Sequence, residues 1–359
     1  MADAALAELV ETVRAAASAG RPLAIRGGGT KAFYGGSVDG ADVSTASLDG
    51  VVEYAPGELV VTARAGTKLA ALEDAMRAEG QMLAFEPPHF APGATLGGTI
   101  AAGLSGPRRP YAGAARDVVL GVRVIDGSGE ALTFGGRVMK NVAGFDVARL
   151  MTGALGTLGI LTEVSLKCLP VPKAETTLAF DVDADVSVRR VNEWGGRPLP
   201  ISATCWCDGR LRVRLSGAEP AVAAAKRALG GDEDAGGADF WRDVRDHRHP
   251  FFANALASGK SLWRLSVRST APQGSLAGAP LIEWGGALRW IASDAAADPA
   301  PLRAWAREQG GHATLFRAEH RRTAPFAPLD ATTLALHSRL KATFDPQRIL
   351  NRGRLHPAL

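Results

Sequence analysis

Clusters of glycine in the first half of the chain place the strongest constraint on its fold. The run Gly27–Gly29 directly follows the apolar segment Leu23–Ile25, and Arg26 and Lys31 flank it. Consecutive glycines after a strand let backbone N–H groups converge on one point, because no side chain stands in the way. Each bond from such an amide to a phosphate is worth about 1.5–3 kcal/mol. The pattern suits a phosphate-binding loop, although on its own it is more often a plain turn.

A second glycine-rich region runs from Pro87 to Gly113 and is interrupted by several prolines. This composition predicts a long structured loop rather than a regular element. The common nucleotide-binding templates do not fit the chain. Residues 27–32 do not complete G-x-G-x-x-G, and the single Gly-Lys-Ser, at 259–261, has Asn254 where a P-loop needs glycine. Neither a Rossmann site nor a Walker NTPase is therefore supported.

Length and charge exclude other classes of protein. The chain has 359 residues, with 41 Lys and Arg against 37 Asp and Glu, and its basic residues occur only as scattered pairs. A net charge of +4 without a basic stripe argues against a nucleic-acid partner. We expect no membrane span and no signal peptide, and therefore a cytoplasmic protein. Cys168, Cys205 and Cys207 match neither a disulfide framework nor zinc spacing, so we expect no metal site.

Hydrophobic periodicity predicts the regular elements of the first half. An amphipathic helix should end at Gly20, and a second helix should run from Thr67 to Glu79. Strands are expected at 50–54 and 58–65, a hairpin at 118–125 and 131–134, and an alternating strand at 159–169. Pro170 and Pro172 mark a domain boundary, beyond which all seven tryptophans occur. A further helix is predicted at 332–342.

The order of several motifs is more specific than any one of them. These are IRGGGTK (25–31), ARAGTKLAALE (63–73), the glycine-rich segment 92–130, KNVAGFDVARLMTGALGTLGILTEVSLKCLP (140–170) and FDPQRILNRGR (344–354). Together they resemble the FAD-linked oxidase family typified by vanillyl-alcohol oxidase and p-cresol methylhydroxylase. Within it, the segment 140–167 with FW (240–241), DHRHPFF (246–252) and EWGGALRW (283–290) is similar to the E subunits of bacterial glycolate oxidases. The resemblance covers nearly the whole chain.

The resemblance implies a fold class and a domain order. We expect an α+β protein whose residues 1–172 form a two-part FAD-binding domain of the family type. Residues 173–330 would form a smaller antiparallel α+β cap domain, and residues 331–359 would return to the first domain.

The resemblance also assigns FAD-binding residues to both glycine-rich regions, to a later turn and to the C-terminal element. They are Arg26, Gly27, Gly28, Gly29, Thr30, Lys31, Pro92, Gly93, Thr95, Leu96, Gly97, Gly98, Thr99, Ser105, Gly106, Arg109, Gly113, Gly156, Thr157, Gly159, Ile160 and Asn351. Relatives with covalent flavin carry a histidine in the first loop, and this chain has none there, so non-covalent FAD is expected. Lys140 is a candidate for neutralising reduced flavin, and equally for a surface lysine.

Departures from the family pattern concentrate in the second domain. Relatives that oxidise D-2-hydroxy acids carry G-E-H-G-I-G and H-x-G-D-G-N-x-H stretches, and this chain has neither. The chemistry needs an arginine on the substrate carboxylate and a base near the hydroxyl. The catalytic candidates are Arg264, Arg289 and His320, with His312 and Arg317 as further residues of suitable type. The segment Asp246–His249 is expected to be a solvated or interface turn.

These features imply an FAD-binding subunit of a complex that oxidises glycolate or D-lactate. The expected partners are a homologous catalytic flavoprotein and an iron–sulfur subunit, which would hold the protein at the inner membrane indirectly. Three cysteines are too few for an iron–sulfur cluster in this chain. A self-sufficient hydroxy-acid flavoenzyme and a scaffold with an empty flavin site remain as alternatives.

Overall fold

The computed structural model describes residues 2–136, 146–274 and 278–359. The chain divides into two compact units. The first contains the residues up to Leu104, Ala114–Val171 and Pro328–Leu359, and the second contains Ser105–Gly113 and Pro172–Ala327. Each unit combines helices with mostly antiparallel sheets, which confirms the predicted α+β class.

The first unit contains the first glycine-rich region and the part of the second one that ends at Leu104. Its helices are α1 (Ala2–Ala19), α2 (Leu69–Ala78), α3 (Leu96–Ala102), α5 (Ala115–Val118), α6 (Val147–Met151) and α12 (Ala331–Phe344). Its strands are β1 (Leu23–Arg26), β2 (Ala41–Ser44), β3 (Val51–Ala55), β4 (Val60–Arg64), β5 (Gln81–Met82), β6 (Val119–Ile125), β7 (Ala131–Gly135), β8 (Ile160–Lys167) and β9 (Leu169–Pro170). A 3-10 turn at Pro56–Glu58 joins β3 to β4.

A five-stranded antiparallel sheet forms the larger part of the first unit, in the order β3-β4-β8-β6-β7. The predicted hairpin is confirmed as β6 and β7, with Val122 opposite Phe134. Strand β8 lies at the centre, and both of its faces are largely buried. Helix α2 packs Leu69, Leu72 and Met76 into the same core, as their helical spacing predicts.

A smaller layer begins the first unit. Strands β1 and β2 pair in parallel, with Leu23 opposite Ala41. Helix α1 buries Leu9 and Val13 against this pair. The C-terminal residues Ile349 and Leu350 join the same core, so the chain's end returns to its first strand. The described residues contain no helix that is both long and apolar enough to cross a bilayer.

The prediction of one long loop from Pro87 to Gly113 is wrong, because α3 lies within it. Thr95 caps this helix by accepting a hydrogen bond from the amide of Gly98 at 3.3 Å. Gly103 ends it in a left-handed conformation, with φ of 63°. Glycines inside the helix concealed its periodicity. They are present because a Cβ on Gly97 would lie 2.6 Å from Cβ of Ala65.

The second unit is built on one extended sheet. Its helices are α4 (Arg109–Ala112), α7 (Ala184–Gly195), α8 (Glu219–Leu229), α9 (Gly237–Arg245), α10 (Pro250–Ala257) and α11 (Ala300–Glu308). Its strands are β10 (Ala174–Asp181), β11 (Ile201–Cys207), β12 (Arg210–Gly217), β13 (Asp232–Glu233), β14 (Ser261–Ser266), β15 (Leu281–Glu283), β16 (Leu288–Ser293) and β17 (His312–Arg317). A 3-10 turn at Trp284–Gly286 joins β15 to β16.

The eight-stranded sheet consists of two halves with similar topology. The first half has the strand order β13-β10-β12-β11, with α7 and α8 as its crossovers, which is a ferredoxin-like arrangement. Read from the opposite edge of the sheet, the second half has the corresponding order β17-β14-β16-β15, with α11 before its last strand in the chain, β17. The described residues between β14 and β15 contain no helix. The halves join where Cys205 of β11 pairs with Glu283 of β15.

Helices cover both faces of the second sheet. On one face, α7 and α8 contribute Val191, Trp194 and Val222 to a core with Val213. On the other, the indole of Trp241 in α9 donates a hydrogen bond to the Thr177 hydroxyl of β10 at 2.9 Å. Trp263, Trp284 and Trp290 belong to the core of this unit, since each is at most 5% exposed.

Candidate functional site

A cavity of about 300 Å³ lies beside the end of β1, and its described lining belongs entirely to the first unit. The first glycine-rich loop forms one wall, and the first turn of α3 forms another. The turn that precedes β8 and the C-terminal segment complete the lining. Four segments that are distant in sequence therefore meet at one concave surface.

Close packing of the two glycine loops leaves no room for side chains between them. A Cβ on Gly28 would overlap the carbonyl oxygen of Gly93, and one on Gly27 would overlap the hydroxyl of Thr95. Glycine is needed here for space rather than for conformation, since neither residue has a positive φ. The loops thus present backbone to the cavity, which is the surface that a phosphate group prefers.

The first loop also has hydrogen-bond donors to offer. Among the residues that the structure describes, the amides of Gly27, Gly28, Gly29 and Thr30 donate no hydrogen bond. All four residues line the cavity. Backbone amides in folded proteins are almost always paired with protein or water. A ligand that accepts several hydrogen bonds fits this loop.

The charges around the cavity are all positive. Arg26, Lys31 and Arg354 line it, and no aspartate or glutamate stands among the described lining residues. Lys31 is only 9% exposed, and its ammonium lies 5.7 Å from the centre of the Phe90 ring. Arg26 shares part of its charge with Asp42 on β2, at 2.8 Å. The diphosphate of a dinucleotide carries the complementary charge.

The second loop provides shape rather than free donors. The amide of Leu96 donates to Thr67 at 2.9 Å, and that of Gly97 donates to Ala65 at 2.7 Å. These bonds tie the start of α3 to the segment after β4. Of this region Thr95, Gly97 and Gly98 line the cavity, together with the small residues Ala101 and Ala102.

Asn351 joins the C-terminal segment to two walls of the cavity. Its Oδ1 accepts a hydrogen bond from the amide of Ile25 at 2.7 Å, and its Nδ2 donates to the carbonyl of Leu155 at 2.7 Å. Its own φ of 40° is left-handed, a conformation in which asparagine is enriched. Asn351 therefore sets the distance between β1 and the turn at 153–159.

A buried ion pair supports the same turn from behind. The ammonium of Lys341 in α12 donates to Asp345 at 2.6 Å and to the carbonyls of Thr157 and Leu350, both at 2.8 Å. Lys341 is 1% exposed and Asp345 is fully buried. Asp345 in turn accepts from the amides of Ile349 and Leu350. Every donor of the ammonium is thus paired inside the protein.

The structure places twelve of the predicted FAD-binding residues in the cavity lining. They are Arg26, Gly27, Gly28, Gly29, Thr30, Lys31, Thr95, Gly97, Gly98, Gly156, Gly159 and Asn351. Six more belong to the first unit but do not line the cavity, namely Pro92, Gly93, Leu96, Thr99, Thr157 and Ile160. Of these, Leu96, Thr99 and Ile160 are completely buried in the core.

The remaining four predicted FAD-binding residues, Ser105, Gly106, Arg109 and Gly113, belong to the second unit. There the carbonyl of Gly106 accepts a hydrogen bond from the indole of Trp284 at 3.1 Å. The guanidinium of Arg109 stacks on the same indole, 4.5 Å from the ring centre. Lys140 lies outside the residues that the structure describes.

The catalytic candidates of the second unit lie in different environments. Arg289 is fully buried, and its guanidinium donates to the carbonyls of Ala271, Pro272 and Gly286, so we assign it a structural role. The side chain of His320, by contrast, is 84% exposed. Arg264 stacks on the indole of Trp284 at 5.1 Å.

The segment Asp246–His249 is a turn, as expected, and Arg248 in it is exposed, but His247 is buried rather than solvated. The ring of His247 is buried and stacks parallel to Phe252, with the ring centres 3.9 Å apart. Trp290 contacts it edge-on. Burial and the charge of Arg317 lower the pKa of His247 to about 3. His249 caps α10 through its Nδ1. The motif DHRHPFF is thus used for packing.

The three cysteines are buried thiols. Burial raises the pKa of Cys168 to about 11 and that of Cys207 to about 12. The described residues contain no cluster of histidine, cysteine or carboxylate side chains that could hold a metal ion.

Sequence reasoning missed several residues of the cavity. Arg354 is the most polar of these, and Ser37, Thr45 and Met151 also line the site. The only available signal for Arg354 was its place three residues after Asn351 in the C-terminal motif.

Comparison with known proteins agrees with this site. A model of the FAD binding domain matches residues 4–135. Over 351 residues the sequence is 46% identical to the glycolate oxidase subunit GlcE of Escherichia coli (strain K12), covering 98% of this chain and 97% of that protein. The chain belongs to the glycolate oxidase E-subunit family. Its cofactor is FAD and it is an FAD-linked oxidoreductase, so these predictions are confirmed.

More distant relatives match a part of the chain or share its fold. The glycolate oxidase subunit GlcD of Bacillus subtilis (strain 168) is 38% identical over 100 residues, which are 28% of this chain and 21% of that protein. The solved structure of an alkyldihydroxyacetonephosphate synthase superposes with a TM-score of 0.66 at 16% identity, covering 96% of this chain and 74% of that one. That similarity shows a shared fold.

Proposed function

We propose that this chain is the FAD-binding subunit of a complex that oxidises glycolate or D-lactate to the 2-oxo acid. In this proposal it works in the cytoplasm beside a homologous catalytic flavoprotein, and an iron–sulfur subunit receives the electrons and holds the complex at the inner membrane. The full-length similarity to a glycolate oxidase subunit, combined with the cavity in the first unit, carries the proposal.

The first unit would hold FAD through the twelve predicted residues that line the cavity, with the amides of Gly27–Thr30 on the diphosphate. Arg26 and Lys31 would balance its charge. No histidine or cysteine occurs among the described lining residues, which supports non-covalent binding. The small side chains of Ala101 and Ala102 in the cavity wall leave space for an aromatic ring system. Bound FAD supplies the two-electron acceptor for hydroxy-acid oxidation.

The proposed dependence on partners rests on the cysteines, arginine and histidine that this chain offers for electron transfer and catalysis. Its three buried cysteines are fewer than the four ligands of a typical iron–sulfur cluster. Arg289 is occupied by backbone carbonyls, and His320 projects into solvent. The homologous flavoprotein would then supply the arginine that binds the substrate carboxylate and the catalytic base near the hydroxyl.

Reconstitution tests this proposal. The purified chain is loaded with FAD and assayed with glycolate and with D-lactate, using an artificial electron acceptor, alone and after co-expression with the candidate partner subunits. We expect bound flavin in the isolated chain, turnover only in the complex, and iron only in the complex. Full turnover by the isolated chain would identify a self-sufficient enzyme. A chain that stays colourless after FAD titration would identify a scaffold.

A further inference from the structure

Arg354 lies in the C-terminal segment and lines the cavity. Among the described residues of that segment, it is the one charged lining residue, and its side chain contacts the first glycine-rich loop. Its Nη1 donates to the carbonyl of Gly36 at 3.0 Å. Its Nη2 donates to the carbonyls of Lys31 at 3.2 Å and Ala32 at 3.1 Å. One guanidinium therefore holds three carbonyls of the turn that follows the glycine run.

The backbone of Arg354 strengthens the same attachment. The amide of Gly36 donates to the carbonyl of Arg354 at 2.7 Å. A Cβ on Gly36 would overlap the carbonyl of Gly353, so the two backbones are in direct contact at this point. Asn351 anchors the other end of this segment to β1 and to the carbonyl of Leu155. The turn at 31–36 is thus held from outside the loop.

The loop also has hydrogen bonds of its own. Within residues 27–36, the amide of Ala32 donates to Gly29 at 3.1 Å, and that of Tyr34 donates to Lys31 at 3.0 Å. A glycine run has the highest conformational freedom of any sequence, so keeping its amides aimed at one point needs an external restraint. The fork of Arg354 supplies that restraint where the glycine run ends.

We propose that Arg354 is a positioning residue for FAD binding. It holds the carbonyls of Lys31, Ala32 and Gly36, and thereby keeps the amides of Gly27–Thr30 directed into the cavity. This inference rests on the proposed role of that loop in binding the diphosphate. It assigns to the C-terminal segment a part in cofactor affinity that does not require direct contact between Arg354 and FAD.

The choice of arginine follows from the geometry. A planar guanidinium with five donors can bind three carbonyls at fixed directions, whereas an ammonium is a point charge on a flexible stem. A lysine at position 354 keeps the positive charge beside the cavity and loses the fork. The variant Arg354→Lys therefore separates positioning from simple charge attraction.

The experiment compares Arg354→Ala and Arg354→Lys with a matched control, Arg352→Ala. Arg352 is exposed, lies two residues away and does not line the cavity. FAD dissociation constants are measured by titration of the FAD-free full-length chain. Hydrogen exchange of the same FAD-free proteins reports on the amides of Ala32, Tyr34 and Gly36, which are hydrogen-bonded in the turn.

We expect FAD to bind about tenfold or more weakly to both Arg354 variants, and to Arg352→Ala as to the unchanged protein. Exchange should accelerate in residues 32–36 while the core strands β4 and β8 keep their protection. Wild-type affinity in Arg354→Lys would overturn the positioning role, and so would faster exchange throughout the first unit. If the unchanged chain does not bind FAD, the proposed function is contradicted instead. The exchange data then still show whether Arg354 restrains the turn at 31–36.

Discussion

Gly28 illustrates how one side-chain atom decides whether the cavity can form. The residue has no positive φ, so alanine is acceptable to the backbone at this position. The obstacle is the carbonyl oxygen of Gly93, which occupies the space that a Cβ needs. Backbone atoms cannot move aside as a flexible side chain does, so the two loops would have to separate.

The substitution Gly28→Ala should therefore weaken FAD binding while the protein remains folded. Forcing an extra carbon into a packed contact costs about 1–3 kcal/mol, which corresponds to a roughly 5- to 150-fold rise in Kd. Titration with FAD measures the effect. Gly57→Ala is the matched control, because no atom lies within 4 Å of its Cβ position and its φ is not positive. Equal affinities for both variants would contradict the packing argument.

His247 links the stability of the second unit to pH. Its pKa is lowered to about 3 by burial, with help from the charge of Arg317. The unfolded chain has the ordinary histidine pKa near 6.5. Between these values the unfolded state binds a proton that the folded state does not. The stabilisation is therefore complete above about pH 6.5 and is lost as the pH falls towards about 3, at about 1.4 kcal/mol per unit.

The variant His247→Gln should lack this loss of stability in acid. Between pH 7 and pH 5 the difference amounts to about 2 kcal/mol of unfolding free energy in favour of a pH-independent residue. Urea unfolding followed by tryptophan fluorescence is the measurement, since all seven tryptophans lie between Trp194 and Trp305. The exposed His320, changed to Gln, serves as control. The same pH dependence in His247→Gln as in the control would refute the assignment.

At the scale of elements, the last turns of α12 support the turn at 153–159 beside the cavity. It has one fully buried side chain, Lys341, and this ammonium joins the helix to Thr157 of the cavity turn and to Leu350. The helix is thus fastened by these polar contacts as well as by the packing of Leu340 and Phe344 against the core. The polar contacts are directional, so they place the turn at 153–159 more definitely than apolar packing alone does.

Removal of the ammonium should be strongly destabilising. Lys341→Met leaves Asp345 charged, buried and unpaired, at a cost of about 3–5 kcal/mol. The double variant with Asp345→Asn should recover much of that loss, because no charge then remains buried. Calorimetry of the FAD-free chain gives the values. Lys226→Met breaks the exposed pair with Glu233 and should leave the stability almost unchanged, because solvent screens that pair. Similar losses for Lys226→Met and Lys341→Met would rule out the burial argument.

At the scale of the whole molecule, the cavity and the tryptophans lie in different units. The described cavity lining belongs to the first unit, and every tryptophan belongs to the second. Binding of FAD at 100 times its Kd stabilises the state that binds it by about 2.7 kcal/mol. That stabilisation should appear first in the elements that line the site.

Hydrogen exchange with and without FAD measures how the stabilisation by bound FAD is distributed along the chain. We expect slower exchange in the peptides that contain β1, α3 and the segment 351–354, and a much smaller change in β10 and β12 of the second unit. Unchanged exchange in the first unit, at FAD concentrations that saturate the visible spectrum, would exclude the cavity as the binding site.

Local patterns predicted much of this fold because their physical signals are local. Helix α1, the hairpin of β6 and β7, and the central strand β8 follow from apolar spacing and turn residues. Helix α3 escaped detection, since the glycines that let it pack on Ala65 also lower its helix propensity. Likewise the pairing of β11 with β15 joins residues almost 80 positions apart, and neither strand carries a signal for the other.

For this protein the order of the sequence motifs determined the family and, through the resemblance to that family, the cofactor and twelve residues that line the cavity. Helix and strand periods determined many of the regular elements, because these signals lie in neighbouring residues. The tertiary structure alone decided which glycines are needed for space, that Arg289 and His247 are packing residues, and that Arg354 reaches the turn at 31–36. The role of Gly28 depends on a contact with Gly93, 65 positions away, and that of Arg354 on a contact with Lys31, 323 positions away. Arg289 and His247 contact segments that are nearer in the chain. Such contacts exist only after the chain has folded.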